Sequence, residues 1–240
     1  AGAAANILTT LEAFGLHWDR EVIYQSQRST AYQDAIAQLS QQNLTYFCNC
    51  TRKQIQAQGA FYQGQCKHKQ LTADNAALRL TTTTPVNYFI DELHGIIDIN
   101  KELAAEDFII HRKDGLFAYN LAVVVDDIYQ GITQVVRGAD LIEPTGRQLY
   151  LFAQFGQAAP SYLHLPLVSN ADGSKLSKQN HAPGLDTHQA KKQLIDAFQF
   201  LALPVSAELQ DLSISQLLQW GTEHWSVTNL PRQKSIVLGQ

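Results

Sequence analysis

Cys48, Cys50 and Cys66 are the only cysteines in this 240-residue chain, and all three crowd into one short segment. An odd number of thiols in a reducing compartment argues against a disulfide framework. Thiolates bind zinc tightly and favour a four-ligand shell. The segment is therefore expected to fold around one structural zinc ion, with these cysteines as three ligands and His68 as the chemically ordinary fourth. A site closed by four protein ligands has no open position for chemistry, so its role would be to pin an insertion.

Around that segment the hydrophobic pattern alternates between helix and strand. Ile7, Leu8, Leu11 and Phe14 fall at helical spacing and predict a helix over 3–14, ended by Gly15. "VIYQSQ" (22–27) reads as a short strand. Ser29 or Thr30 is placed to cap a helix reaching Gln42, with Tyr32, Ile36 and Leu39 on one face. "LTYFCNC" is a strand that runs into the first two cysteines, followed by a polar segment from Thr51 to Asn75. Residues 77–113 look β-rich, and "NYFIDELHGIIDI" predicts a hairpin turning near Leu93-His94-Gly95. "KDG" marks a further turn. "LAVVVDD" is too evenly apolar to be half-exposed, and its pattern suits a buried helix or a buried strand equally. "GITQVVRGADL" reads as a core strand, 145–155 as a helix, and "YLHLPLV" as one strand. Helices are expected from about Thr187 and over 213–221. The expected class is α/β, with a small helical region after residue 183 and no internal repeat.

The composition narrows the function classes. With 45% hydrophobic and 17% charged residues, the chain can bury a substantial core. A formal charge of −4 excludes a wholesale basic coat for nucleic acid, though not a local patch. No apolar run approaches the ~20 residues of a membrane span. No secretory signal is visible, so the cytoplasm is the expected location.

A different stretch carries the chemistry. "SNADGSKLSKQNHAP" (169–183) places Lys175 and Lys178 three residues apart among serine and glycine, with apolar chain on both sides. A lysine is a compact charge on a flexible stem, and small neighbours let backbone approach a phosphate closely. On spacing alone a lysine-rich surface turn reads as well. The sequence around it resembles the KMSKS-type signature of class I aminoacyl-tRNA synthetases, here Lys175-Leu176-Ser177-Lys178-Gln179. "LPLVSNADGSKLSK" looks like the glutamyl-tRNA synthetase form. "FAYNLAVVVDDIYQGITQVVRGADLIEPTGRQLYLFAQFG" is similar to that family's catalytic core. "EDFIIHRKDGLFAYN" and "SKLSKQNHAP" are closer still to its glutamyl-Q branch, which lacks an anticodon-binding domain. The resemblance covers most of 1–203.

What the resemblance implies is a Rossmann-like class I catalytic core with a zinc-containing insertion and a small C-terminal helical subdomain. Its boundaries would be 1–168 for the catalytic part, with the insertion at about 45–107, and 169–240 for the KMSKS-type loop and helices. The implied reaction has two steps. ATP, with Mg2+, and L-glutamate form glutamyl-adenylate without tRNA, and the glutamyl group then passes to the queuosine base of tRNA(Asp). By the matching motif, Lys178 is the catalytic and ATP-binding lysine and Lys175 assists it. Tyr119 in "FAYN" and Arg137 in "VVRGAD" match positions that contact glutamate. An arginine grips a carboxylate through parallel hydrogen bonds, and a tyrosine hydroxyl adds one more. Read without the family, Tyr119 would be a core aromatic and Arg137 an ion-pair partner of Asp140. Tyr62 matches the position that completes the zinc shell in the glutamyl-Q branch, and is preferred to His68 on that ground alone. Asp126 and Asp127 suggest a magnesium site less well than a water-exposed element end.

The family pattern begins before Ala1, so the HIGH-type motif and the early glutamate contacts are expected to precede this sequence, leaving the 240 residues alone inactive. A large anticodon domain is not expected after Lys178, an expectation that favours the glutamyl-Q reading. Two alternatives remain open at this point: an inactive synthetase fragment that binds RNA or a partner, and a fragment of an ordinary glutamyl-tRNA synthetase. Nothing in the sequence speaks to oligomeric state, and a monomer is the working expectation.

Overall fold

The computed structural model describes residues 2–170, 176 and 184–237. Two compact units divide the chain: Ile23–His164, and Ala1–Val22 together with Leu165–Gln240.

The second unit opens with α1 (Ala3–Ala13). Gly15 ends this helix as expected. Its φ of 71° lies in the left-handed region that favours glycine, and a Cβ there would meet Ile214 Cγ2 at 2.9 Å.

The larger unit holds α2 (Ser29–Gln41), β1 (Thr45–Cys48), α3 (Arg52–Gln56), β2 (Ala77–Leu80), β3 (Tyr88–Asp91), β4 (Gly95–Asp98), α4 (Lys101–Ala105), β5 (Phe108–His111), α5 (Tyr119–Gln130), β6 (Gln134–Gly138), α6 (Ile142–Gln154) and β7 (Ser161–Leu165). Strands β1, β2 and β5 form an antiparallel sheet in the order β1-β2-β5. One core joins it to three helices: Leu78, Leu80, Phe108 and Ile110 of the sheet pack with Tyr32 and Leu39 of α2, Leu121 and Val124 of α5, and Leu151 and Phe152 of α6. The second sheet runs β4-β3-β7-β6. Its β3–β4 hairpin pairs Asp91 with Gly95, and β3 lies parallel to β7. Asp91 Oδ1 accepts the backbone N–H groups of Leu93 and His94, which folds the turn, and Gly95 takes the positive φ needed to close it.

The structure departs from the sequence pattern at several elements. "VIYQSQ" is not a strand: Val22–Tyr24 are irregular and Gln25–Gln27 form a 3-10 turn. The turn and the Arg28 that follows it bring Gln25 Nε2 and Arg28 Nε to the carboxylate of Asp126, a long-range pairing that the local β preference does not encode. Helix α2 forms, but neither Ser29 nor Thr30 caps it; its flanking residue is Arg28, with no side-chain cap. "GITQVVRGADL" does yield β6, but as the end strand of the sheet rather than a core strand, with Val136 49% exposed. "YLHLPLV" splits at Pro166 into β7 and β8 (Leu167–Ser169). Proline lacks the N–H that a continuing ladder needs. The undecided "LAVVVDD" is helical. Gly131, at φ 66°, ends α5 by accepting the left-handed conformation, and the N–H of Ile132 returns to Asp127 C=O.

The remainder of the second unit contains β8, α7 (Ala190–Phe200), α8 (Ile214–His224) and β9 (Ser235–Val237). β8 and β9 pair in parallel. Phe14, Ala190 and Leu194 form one small core with Ile214 and Leu218. Ile195, Leu209 and Leu217 form another with Phe198 and Trp220. A capping box between Ser213 and Gln216 starts α8.

Candidate functional site

Strand β1 carries Cys48 at its end, opposite Ala77, and the chain then turns through Cys50 into α3. A Thr51–Gln54 capping box makes that turn: Gln54 Oε1 accepts the Thr51 N–H and Thr51 Oγ1 accepts the Gln54 N–H. Cys66 comes back against this corner. The three sulfurs lie within 4.8 Å of one another, and Cys50 Sγ is 3.4 Å from Cys66 Sγ. A tetrahedral zinc with bonds of about 2.3 Å sets its sulfur ligands roughly 3.8 Å apart, a spacing close to that of these thiols. Among the described residues, no other group of three or more Cys, His, Asp or Glu side chains stands out in this way.

Tyr62 is buried beside the thiols, in one apolar cluster with Cys48 and Cys66. Its hydroxyl accepts the backbone N–H of Cys66 at 2.9 Å and hydrogen-bonds the Cys48 thiol. His68 is exposed and lies outside the group. Arg79, only 4% exposed, stacks its guanidinium 3.7 Å over the Tyr62 ring and donates to the Asp107 carbonyl at 2.6 Å. Burial pushes the Cys48 thiol up, but hydrogen bonds from Arg79, Tyr62 and the Cys50 N–H outweigh it and bring the pKa to about 7. Cys50, desolvated and bonded to the neighbouring thiols, is pushed up to about 12. The Asp107 carboxylate ties the region to the sheet by accepting from Tyr46 Oη at 2.7 Å and the Thr82 N–H at 2.7 Å.

The second centre lies on β6, β7 and the start of α5. Tyr119 is the first residue of α5 and is 51% exposed, so it is not a core aromatic. Arg137 on β6 is fixed by three bonds. Its Nε donates to His164 Nε2 at 3.1 Å, and its Nη2 donates to Leu141 O at 3.1 Å and Thr145 Oγ1 at 2.7 Å. The guanidinium also faces the Tyr162 ring at 5.0 Å. The Tyr162 hydroxyl, raised to about 12 chiefly by burial, feels the charges of Arg137, Asp127 and Tyr119, which groups these side chains electrically. Asp127 is half-buried. Desolvation lifts its pKa to about 6, opposed by Arg137 and assisted by Asp126.

Two side chains that the sequence reading passed over complete this centre. Asp91 and His164 have fully buried side chains joined by a 2.7 Å bond between Oδ2 and Nδ1. Burial raises the Asp91 pKa, but His164 and the two turn N–H groups more than offset it and hold it low. Neither residue carries a local signal: each is a polar residue inside an apolar strand, and its partner lies far along the chain. Asp126, which sequence patterning left at a water-exposed end, is buried instead. Its oxygens accept from Gln25, Arg28 and Tyr32 Oη, the last at 2.8 Å.

Of the lysine loop, Lys175, Ser177, Lys178 and Gln179 lie outside the described residues. Leu176 is described, and its N–H donates to Val168 O on β8 at 2.8 Å.

The family model for tRNA synthetases class I (E and Q), catalytic domain, matches residues 1–203. A protein of Photobacterium profundum named glutamyl-Q tRNA(Asp) synthetase is 55% identical over 237 residues, which cover 99% of this chain and 76% of that protein. Relatives of the same name from Pectobacterium atrosepticum and Escherichia coli K12 are each 54% identical, over 98% and 96% of the chain and 73% and 75% of their own lengths. Among solved structures, the glutamate-tRNA synthetase of Elizabethkingia anophelis superposes with a TM-score of 0.73 at 17% identity, over 97% of this chain and 57% of that one. At that identity the likeness is one of fold: a mixed α/β class I synthetase catalytic fold.

Proposed function

Because the chain belongs to the family of class I tRNA synthetases of the glutamate and glutamine type, we propose that it activates glutamate with ATP, without tRNA, and transfers the glutamyl group to the queuosine base of tRNA(Asp). One observation carries this reading: a relative with that name matches 99% of the chain at 55% identity, far above the level at which only the fold is shared. The likeness to the solved glutamate-tRNA synthetase, at 17%, favours no substrate.

In the first step a glutamate carboxylate oxygen attacks the α-phosphorus of ATP. The bond to pyrophosphate breaks, and glutamyl-adenylate remains. In the second, a nucleophile of the queuosine base attacks the acyl carbon and AMP leaves. Charge gathers on the phosphates in the first transition state, so a cation that reaches them then lowers the barrier rather than only tightening binding. Lys178 takes that role with Lys175 assisting, and Mg2+ accompanies the ATP. Arg137 and Tyr119 bind glutamate: the arginine supplies charge and paired donors for a carboxylate, and the half-exposed tyrosine a hydroxyl. Cys48, Cys50, Cys66 and Tyr62 hold a structural zinc, which when bound cross-links β1 to the 62–66 segment. On this reading 1–168 is the catalytic part, with the zinc insertion at about 45–107, and 169–240 is the lysine loop with a helical subdomain. No helix among the described residues is long and apolar enough to cross a membrane. The reaction belongs in the cytoplasm, where tRNA is.

The test is glutamate-dependent ATP–pyrophosphate exchange by the complete protein in the absence of tRNA, followed by transfer to queuosine-containing tRNA(Asp) and to tRNA(Glu). Exchange without tRNA and transfer to the first substrate alone is the expected result. Charging of tRNA(Glu) would make the chain part of an ordinary glutamyl-tRNA synthetase, and absence of exchange would make it a binding module.

A further inference from the structure

The bonds around Arg137 form a chain that starts at a buried carboxylate. Asp91 Oδ1 is committed to the turn N–H groups of Leu93 and His94, at 3.0 and 2.9 Å, so the carboxylate cannot rotate freely. Its Oδ2 accepts both the backbone N–H of His164, at 3.1 Å, and the ring Nδ1, at 2.7 Å. A carboxylate accepts, so Nδ1 carries the proton. The opposite ring nitrogen, Nε2, then presents its lone pair to Arg137 Nε–H at 3.1 Å. This is the donor–acceptor pattern of a neutral imidazole with one defined tautomer. Arg137 Nη2 spends its donors on Leu141 O and Thr145 Oγ1. No hydrogen bond among the described residues uses Nη1.

We propose that Asp91 and His164 are positioning residues for the amino-acid substrate, acting through Arg137: the carboxylate selects the His164 tautomer, the imidazole takes up Arg137 Nε, and the Nη1 donors are left facing a substrate carboxylate. The inference rests on the reading of Arg137 as the glutamate-binding arginine. An arginine used in this way needs its guanidinium plane fixed before the substrate arrives, because a planar donor pair is productive over only a narrow range of angles. Three acceptors on Nε and Nη2 fix that plane. A buried histidine with the wrong tautomer would present N–H to N–H and turn the arginine away.

The experiment compares two substitutions that divide the imidazole between them. The amide of His164→Asn can still donate to Asp91 but provides no acceptor for Arg137. The amide oxygen of His164→Gln reaches the position of Nε2 and restores that acceptor. In ATP–pyrophosphate exchange by the complete protein, His164→Asn is expected to raise the KM for glutamate by about tenfold or more while leaving the KM for ATP unchanged, and His164→Gln to recover most of the loss. On an Arg137→Ala background His164→Asn is expected to add nothing further, since the two act as one unit. Equal effects of the Asn and Gln variants, or an unchanged glutamate KM in an active Asn variant, would overturn the relay while leaving the proposed reaction intact. Absence of glutamate-dependent exchange in the unsubstituted protein would remove the reaction and the relay together. Should either variant fail to fold, nitrogen-15 NMR of the histidines in the unsubstituted protein decides: a proton on His164 Nδ1 is required, and a proton on Nε2 refutes the assignment.

Discussion

Arg28 Nε lies 2.5 Å from Asp126 Oδ1, joining residues 98 positions apart at the meeting of α2 and α5. The arginine also stacks 4.2 Å over the Tyr129 ring, and Gln25 and Tyr32 occupy the other carboxylate oxygen. An acidic residue in "VVVDD" is thus an internal fastener for the chain that enters α2.

Asp126→Ala strands a largely buried guanidinium and two further donors. The expected loss of stability is about 3 kcal/mol, the scale for breaking a buried pair from one side. Urea denaturation of the two proteins measures it. A loss below about 1 kcal/mol, the surface ion-pair range, would mean the pair is solvated in solution.

Asp127 predicts a pH effect of the opposite kind. Its folded pKa of about 6 lies above the ordinary 3.8 because burial penalises the charge. A raised folded value means the folded protein binds the proton more tightly than the unfolded chain. The stabilisation this gives is complete below the unfolded value and is lost as pH rises through about 6. Asp127→Asn removes the penalty. The variant is therefore expected to be more stable than the unsubstituted protein at about pH 8 and no more stable at about pH 3. Thermal melts across that range read the difference, and a gap that does not change with pH would contradict it.

For the thiol cluster, metal analysis of purified protein is expected to find one zinc per chain, and chelation to lower the melting temperature. Tyr62→Phe removes both the fourth ligand and the acceptor for the Cys66 N–H, so zinc affinity should fall by about tenfold or more. His68→Ala, at an exposed position, should leave it unchanged. The reverse order, with His68 mattering and Tyr62 not, would hand the fourth position to histidine.

Lys178→Ala is expected to slow glutamyl-adenylate formation by roughly 10²-fold, with the effect in kcat rather than in the KM for glutamate. Pyrophosphate exchange in the complete protein reads both constants. A near-unchanged kcat would place the transition-state cation elsewhere.

The sequence by itself determined most of what repeats locally. Period-two alternation in 88–98 set the β3–β4 hairpin, with Phe89, Asp91 and Ile97 inward and Ile90 and Ile96 outward. Helical spacing found α1, α2 and α7, and three thiols of similar chemistry in one segment announced their own cluster. Gly15 was legible because the left-handed backbone that ends a helix favours glycine over residues with a Cβ.

Tertiary structure decided the rest. Whether "LAVVVDD" is helix or strand, whether β6 is central or terminal, and whether Asp126 meets water or Arg28 all depend on what packs alongside, and a buried run looks the same in either case. The Asp91–His164–Arg137 chain is the clearest instance. Asp91 and His164 stand 73 positions apart, and their hydrogen bond comes from the parallel pairing of β3 with β7. A polar residue in an apolar strand states a cost of burial, and only the folded neighbour that repays it with a hydrogen bond gives that residue a role.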